Sequence, residues 1–422
     1  MANNYQKVKG TQDFYKDDAQ KINYVTSFSS SVLEKFGYVP LITPIFENTD
    51  VFVKNVGEDS DVVTKEMYTF KDKGDRSLTL RPEGTAAVAR FFIENKMYAN
   101  PGLTKVYYYG PMFRYERPQV GRFREFRQFG VEVYGASSYL LDADVINSAY
   151  MIFKGLGIKD LYLEVNSIGD SISRANYSKA LKEYYSKYID TMCDDCKRRI
   201  NTNPLRILDC KVDANHVANK NAPSIKEYLS SESKEYFNNV LKTLDTLKVP
   251  YVVNDKLVRG LDYYTDTVFE FKIKGHGELD GITVCGGGKY ANMIKDMCGV
   301  DVSGIGYAFG IERAVSIMNS LNLWDERLKK ANNVTAIFGL DDQSKLEALK
   351  VASDLREKGI LTEIDYSSNS MKSQFKLSER CNARYIVIIG ENERNSGIYT
   401  VKDTINKTQE SVRKEDLVKY LR

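Results

Sequence analysis

The chain has 422 residues, 42% of them apolar and 28% charged, with nine prolines. At roughly 150 residues per domain this is a folded globular protein of two to four domains, which excludes a peptide hormone or a disulfide-stapled miniprotein. Sixty Lys and Arg against 57 Asp and Glu leave a charge of +3, too balanced for indiscriminate coating of nucleic acid, so any polyanion site must be a local cluster. No run of about 18 apolar residues occurs, and the start MANNYQKVKG lacks the apolar core of a signal peptide; the expectation is a cytosolic (cytoplasmic) protein with no membrane association.

Residues 1 to about 165 alternate helical stretches with dense strand signals such as KVYYYG, FGVEVYG and LYLEV. LTLRPEGTAAVARFF places Arg81, Glu83 and Thr85 at the start of a predicted helix, where the Glu83 carboxylate suits unpaired N–H groups. The densest feature, GPMFRYERPQVGRFREFRQFGVEVYG, interleaves Arg114, Arg117, Arg122, Arg124 and Arg127 with aromatic residues including Phe126. Its pattern predicts two strands about a Pro-Gln-Val-Gly turn, with Gln128, Gly130 and Glu132 on one face of the second strand and Phe129, Val131 and Val133 on the other. Two readings are open: an exposed charged hairpin, or a triphosphate clamp in which guanidinium forks hold phosphate oxygens and an aromatic ring stacks on a purine.

From about 170 to 250 the composition shifts to Lys, Glu, Tyr, Ser and Asn at helical spacing, which predicts a helical insertion interrupting the first module. The six cysteines, Cys193, Cys196, Cys210, Cys285, Cys298 and Cys381, are too few for a disulfide scaffold. CDDC at 193–196, Cys210 and His216 form a set that tetrahedral zinc accepts. A second CxxC or HxxxH is missing, so the default is reduced structural thiols and no metal is assigned.

Strand and glycine signals return from Tyr251 to about Met318. In LVRGLDYYTDTVFEF, Arg259 alternates with Leu257 and Leu261 on a predicted apolar strand and therefore needs an anion, from the protein or from a ligand. VCGGGKY is not a phosphate-binding P-loop, because Thr283 and Tyr290 stand where that motif needs Gly and Ser or Thr. Gly304, Gly306 and Gly310 are spaced one residue too far for a dinucleotide fingerprint, and the segment runs on as a strand-to-helix junction carrying Glu312 and Arg313. Beyond LNLWDERLKKANN come a strand (Val334 to Phe338), a helix marked by Leu346, Leu349, Ala352 and Leu355 and closed by Gly359, a strand (Leu361 to Ile364), a second helix and a strand (Tyr385 to Ile389). These predict an α/β domain of about 90 residues with a mostly parallel sheet.

Taken in order, KGTQDF, RPEGT, FRYERPQ with GRFREFRQFGVE, LVRGLDYY, GGGKY and GYAFGIER resemble the motifs of the class II aminoacyl-tRNA synthetases, in their histidyl-tRNA synthetase family. The resemblance implies an α+β catalytic domain whose mainly antiparallel six- or seven-stranded sheet is flanked by helices, with ATP bent over it. The catalytic domain would occupy residues 1–169 and 251–325, the helical insertion 170–250 and an α/β anticodon-binding domain 331–422. FGYVPLITPIF looks like the family's dimer motif, implying a homodimer. By the same likeness Arg114 would hold the α-phosphate, Arg122 and Arg313 the outer phosphates, and Phe126 the adenine, with Glu116 beside it. Glu83, Thr85 and Gln128 match positions that grip the α-amino group of histidine, Glu132 and Tyr264 those that read its imidazole, with Tyr263 and Tyr290 as further histidine-binding residues. Arg259 matches the catalytic arginine, acting with Arg114.

The implied reaction is ATP-dependent activation of L-histidine, with Mg²⁺ on the phosphates, followed by transfer to the 3′ end of histidine tRNA. The alternative is a synthetase-like regulatory subunit of histidine biosynthesis that charges no tRNA; such relatives tend to lose the C-terminal domain and the LVRGLDYY arginine, both present here. One departure stands out. The family usually reads GGRYD where this chain has Gly287, Gly288, Lys289, Tyr290 and Ala291, which is expected to tune support of the pocket. Patches such as RRINTNPLR at 198–206 would serve tRNA phosphates.

Overall fold

A computed structural model describes residues 5–57, 60, 62–116, 122–260, 263–275, 277–324 and 333–422. The predicted Pro-Gln-Val-Gly turn, Arg117 and Leu261 lie outside these residues. The chain divides into two compact units, Met1–Leu323 and Trp324–Arg422. Among the described residues no helix is long and apolar enough to cross a membrane.

The first unit is built on an eight-stranded sheet in the order β1-β5-β6-β11-β10-β9-β7-β8. Its strands are β1 (Val39–Pro40), β5 (Thr104–Phe113), β6 (Glu125–Tyr134), β7 (Leu161–Ser167), β8 (Tyr251–Val253), β9 (Thr265–Ile273), β10 (Thr283–Tyr290) and β11 (Gly304–Gly310). The six central strands pair antiparallel, while the short edge strands β1 and β8 join parallel to β5 and β7. Six antiparallel strands agree with the class II expectation, and the two edge additions bring the sheet to eight. A separate three-stranded sheet, order β2-β4-β3, is formed by β2 (Phe46–Asn48), β3 (Tyr68–Lys71) and β4 (Ser77–Leu80).

The alternation predicted for β6 is observed. Phe129, Val131 and Val133 are fully buried. Phe129 stacks on Tyr107 of β5 at 5.7 Å and on Phe309 of β11 at 5.2 Å, and Phe153, from the helix Tyr139–Gly155, meets Phe309 at 5.1 Å. This helix also packs against the helix Asp17–Lys35, which in turn packs against Ile311–Ser320. The helices thus cover one face of the sheet, and the Gln128–Glu132 face is left for chemistry.

One expectation needs correction here. Arg259 is not in a strand: after β8 the chain turns at Asn254, whose side-chain oxygen accepts the Lys256 N–H at 3.1 Å, and Leu257–Arg259 leave the sheet before β9 begins. The side-chain-to-backbone bond favours a turn where hydropathy alternation suggested a continuing strand. The region 170–250 holds the helices Ser171–Tyr185, Asp194–Thr202, Val217–Lys220 and Ser231–Thr246, and the last of these packs on Tyr139–Gly155 and on β7 and β9.

The second unit carries a five-stranded sheet, order β13-β12-β14-β15-β16: β12 (Thr335–Gly339), β13 (Thr362–Ile364), β14 (Tyr385–Ile389), β15 (Ile398–Asp403) and β16 (Thr408–Arg413). The first three are parallel and the last two antiparallel, so the sheet is mixed rather than mostly parallel. The helix Asp342–Glu357 ends as expected, with Gly359 at φ 78° just beyond it. Its buried face is Ala348, Val351, Ala352 and Leu355, whereas Leu346 and Leu349 are exposed. A strict three-residue step drifts by about 60° on a 3.6-residue helix, so Leu346 ends up opposite Leu355.

Replacing Phe129 with Ala should cost about 3–5 kcal/mol, the usual loss for a buried ring that cannot be refilled. It should lower the urea midpoint of the first unit; an unchanged midpoint would show that the aromatic stack does not hold the sheet to its helices.

Candidate functional site

Several sequence-distant stretches of the first unit meet over the open face of the large sheet. Every residue to which the family resemblance gives a role toward histidine or ATP, except Phe126, lines one cavity of about 500 Å³, and Phe126 lines an adjoining cavity of about 210 Å³ with Arg114, Arg122 and Arg313. The volume suits a drug-sized ligand.

One end is acidic. Glu83 precedes the helix Thr85–Glu94, and its carboxylate accepts the backbone N–H groups of Thr85 (2.9 Å) and Ala86 (2.8 Å), so it serves the helix start while lining the cavity. Glu132 is 1% exposed. Its Oε1 accepts the hydroxyls of Thr85 at 2.7 Å and Tyr108 at 3.2 Å, and Tyr290 donates to Oε2. Burial pushes the Glu132 carboxyl up to about 8, against the pull of the hydrogen bonds from Tyr290 and Thr85. Gln128, four residues earlier on the same face, accepts the Gly84 N–H at 3.2 Å. Tyr263 and Tyr264 have ring centroids 4.6 Å apart, and Tyr263 meets Tyr290 edge-on at 5.7 Å.

The floor beneath these groups is stripped of side chains. A Cβ on Gly130 or Gly84 would run into the Tyr108 ring, one on Gly306 into the Glu132 carboxylate, and one on Gly286 into the Arg259 guanidinium. The glycine runs that matched no nucleotide fingerprint therefore have a steric explanation: large side chains lie flat on bare strands.

Arg259 sits between the acidic end and the arginines. It is ion-paired with Glu270 across β9, and among the described residues its buried Nε finds no acceptor. Burial opposes its charge, and Glu270 with the neighbouring tyrosines more than restores it. The protein thus supplies one anion, while a second acceptor is wanting.

Arg114 donates through Nε to the Pro82 carbonyl at 2.8 Å, beside Glu83, and lies 5.4 Å from the Phe126 ring. Arg122 reaches Glu116 at 3.2 Å, and Arg313 donates to the Thr283 carbonyl at 2.9 Å. Burial and then repulsion from Arg122 hold Arg313 below the usual guanidinium value.

The remaining cationic candidates do other work. Arg81 is buried and bound to the carbonyls of Thr43 and Pro111, joining strand β4 to β5. Arg124 stacks over Tyr115 at 3.9 Å, and Arg127 pairs with Glu312 at 3.1 Å and covers Phe14 at 4.8 Å, so both brace the KGTQDF segment and its surroundings. Lys289 points away from the cavity, where it bonds Ser137 at 2.7 Å, pairs with Asp266 at 3.4 Å and lies 4.2 Å from the Tyr236 ring. The departure from GGRYD is thus absorbed behind the sheet.

Sequence reasoning missed Tyr108, Glu270 and the wall formed by Asp209, Cys210 and Lys211. Tyr108 had one available signal, since it stands opposite Gly130 in the β5–β6 register. The others are long-range. Cys193, Cys196 and Cys210 do come together, but with Asp213 rather than His216. The His216 ring instead accepts the Ala218 N–H at 3.1 Å and contacts the Thr191 hydroxyl at 3.2 Å, starting the helix Val217–Lys220, which takes it out of the thiol cluster.

Acidic pocket, central arginine and cationic end suit a ligand that is cationic or hydrogen-bond-donating at one end and phosphorylated at the other. Residues 10–314 match the family model "Histidyl-tRNA synthetase", and residues 332–422 match "Anticodon binding domain". A histidine–tRNA ligase of Staphylococcus carnosus is 45% identical over 415 residues, covering 98% of this chain and 96% of that protein. One from Thermosipho melanesiensis is 43% identical over 98% of this chain and 97% of its own. The crystal structure of apo S. aureus histidyl-tRNA synthetase superposes with a TM-score of 0.84 at 38% identity, covering 99% of both chains.

The raised Glu132 carboxyl has a signed consequence. Unfolded it ionises near 4.5 and folded near 8, so the folded state keeps a proton the unfolded state has released between those values. The stability linked to this group is full below about pH 4.5, falls as pH rises to about 8, and is flat above. Wild type minus Glu132→Gln unfolding free energy should therefore decline across that window by up to about 1.4 kcal/mol per pH unit. Parallel pH profiles in urea titrations would show that this carboxylate is not held neutral.

Proposed function

Because the chain belongs to the histidyl-tRNA synthetase family and charges tRNA with histidine, we propose that the cavity described above is where L-histidine is activated by ATP. The carrying observation is that one cavity is lined together by the carboxylates of Glu83 and Glu132, by Arg259 and by Arg114, Arg122 and Arg313. Glu132 accepts an imidazole N–H while the Tyr263, Tyr264 and Tyr290 rings enclose the heterocycle. Glu83, Thr85 and Gln128 receive the α-ammonium. The adenine lies on Phe126 beside Glu116, in the smaller cavity that both residues line with Arg114, Arg122 and Arg313.

The histidine carboxylate attacks the α-phosphorus, the bond to the bridging oxygen breaks, and pyrophosphate leaves with the electron pair. Two anions meet and charge spreads over the phosphorus and the leaving group, so fixed cations do more than a base would. Arg259 spans carboxylate and α-phosphate, its Nε–H, without an acceptor among the described residues, being a donor already in place. Arg114 serves the same phosphate, and Arg122 and Arg313 the outer two. At about 4 Å and an effective dielectric near 20, each such contact is worth roughly 4 kcal/mol before desolvation. ATP would enter as its Mg²⁺ complex, the ion neutralising phosphate charge alongside Arg122 and Arg313. A terminal ribose hydroxyl of the tRNA then attacks the acyl carbon of the adenylate and AMP departs.

The segments 1–169 and 251–325 form the activating module, 170–250 leans on the acceptor arm, and 331–422 reads the anticodon. The regulatory reading is disfavoured, because Arg259 lines the cavity and the anticodon-binding match spans residues 332–422. The exposed apolar row Val39, Ile42, Ile45 and Phe46, on and beside edge strand β1, supports a homodimer. ATP and tRNA place the reaction in the cytoplasm.

Pyrophosphate exchange measured with each of the twenty amino acids should respond to histidine alone; exchange with another amino acid would remove the proposed pocket. Arg259→Ala should slow that exchange about 100-fold or more, and near-normal exchange would take Arg259 out of the chemistry. A chain ending at residue 323 should keep exchange while losing tRNA charging, and normal charging by it would refute the anticodon role of the second unit.

A further inference from the structure

Within the region 170–250, at the edge of the active cleft, three thiols and a carboxylate crowd together for a reason the reaction does not supply. The Sγ atoms of Cys193, Cys196 and Cys210 and a carboxylate oxygen of Asp213 lie within 4.8 Å of one another. Tetrahedral zinc, with bonds of about 2.3 Å to sulfur and about 2.1 Å to oxygen, sets ligand-to-ligand distances of roughly 3.5–3.8 Å. Cys193 and Cys210 are 3.6 Å apart, and Cys210 and Asp213 Oδ2 are 3.7 Å apart. Both match an edge of that tetrahedron.

The chain path repeats one device twice. Cys193 precedes the helix Asp194–Thr202 and Cys196 lies in its first turn; Cys210 and Asp213 follow with the same spacing. The Asp213 N–H points to Cys210 Sγ at 3.4 Å, and the Cys193 N–H donates to Asp213 Oδ2 at 3.0 Å, tying the two halves. The second knuckle that the sequence lacked as CxxC exists as Cys-x-x-Asp. Cys196 is fully buried, and Cys210 and Asp213 nearly so. Among the described residues no lysine or arginine pairs with Asp213. A disulfide would use two thiols and leave the third beside a buried carboxylate, whereas a dication uses all four groups. Soft thiolates select zinc over magnesium or calcium, and four protein ligands close the site to substrate.

We propose that Cys193, Cys196, Cys210 and Asp213 bind a structural zinc ion that fixes the cleft wall formed by Asp209, Cys210 and Lys211. On binding, the three thiols release their protons to solvent, leaving three thiolates and one carboxylate around the ion.

The test is metal analysis of the full-length protein purified under reducing conditions without chelator, then incubated with zinc chloride and desalted. About one zinc per chain is expected, and cobalt exchange should give the visible bands of a tetrahedral thiolate site. Asp213→Ala should weaken zinc about 100-fold in competition with a chromophoric chelator, and Cys196→Ser should bind little. His216→Ala should bind like wild type, which keeps the assignment testable if a cysteine variant fails to fold. Absence of zinc after reconstitution, loss in His216→Ala with retention in Asp213→Ala, or a Cys193–Cys210 disulfide in freshly purified protein would each overturn it.

Discussion

A buried carboxylate without a cation among the described residues is costly to hold, and much of the site is arranged to keep Glu132 in place. Among the described residues its partners are three hydroxyls, from Thr85, Tyr108 and Tyr290. Neutral donors satisfy its oxygens without cancelling its appetite for a proton or a donor ligand. The requirement spreads outward. Tyr108 reaches Glu132 only over Gly84 and Gly130, Tyr290 comes from the far strand β10, and Thr85 must open its helix at one particular height above the sheet. In the proposed site a side chain without an N–H would leave the carboxylate unanswered.

Positive charge is shared out by a different logic. Guanidinium groups that meet backbone carbonyls or a dedicated carboxylate, such as Arg81 and Arg127, tie segments together. Those placed along the cavity keep donors available for an anion that arrives from solution. Arg114, Arg122, Arg313 and Arg259 belong to both classes: the first three each meet a carbonyl or Glu116, and Glu270 holds one side of the Arg259 fork, whose Nε finds no acceptor among the described residues. Pre-arranged cations of this kind need little reorganisation when charge develops, which is where their catalytic value lies.

How far the amino-acid order foretold this depended on the range of each interaction. The alternation of Gln128 and Glu132 with Phe129 and Val131 is a two-residue property and was legible, as was the close of the helix Asp342–Glu357 at Gly359. The face of that helix was not, because a three-residue leucine step only resembles a stripe over a short span. Arg259 was legible as a residue needing an anion, but the local turn at Asn254 outweighed strand periodicity. Asp213 escaped notice because a carboxylate stood where a cysteine or histidine was sought. Tyr108 and Glu270 acquire meaning only through strand register, a long-range property. The site roles themselves came from motif resemblance, since no spacing rule says which arginine faces inward.

The bare floor sets the terms on which this pocket can ever be remodelled. On the helix-covered side of the same strands, volume-conserving exchanges leave room for adjustment, because side chains there meet other side chains. On the open side, adding even a methyl at Gly130, Gly286 or Gly306 pushes against a functional group directly. If the cavity takes the amino acid as proposed, an engineer cannot reshape it from below. New volume has to be gained from above, by trimming the tyrosine rings that roof it.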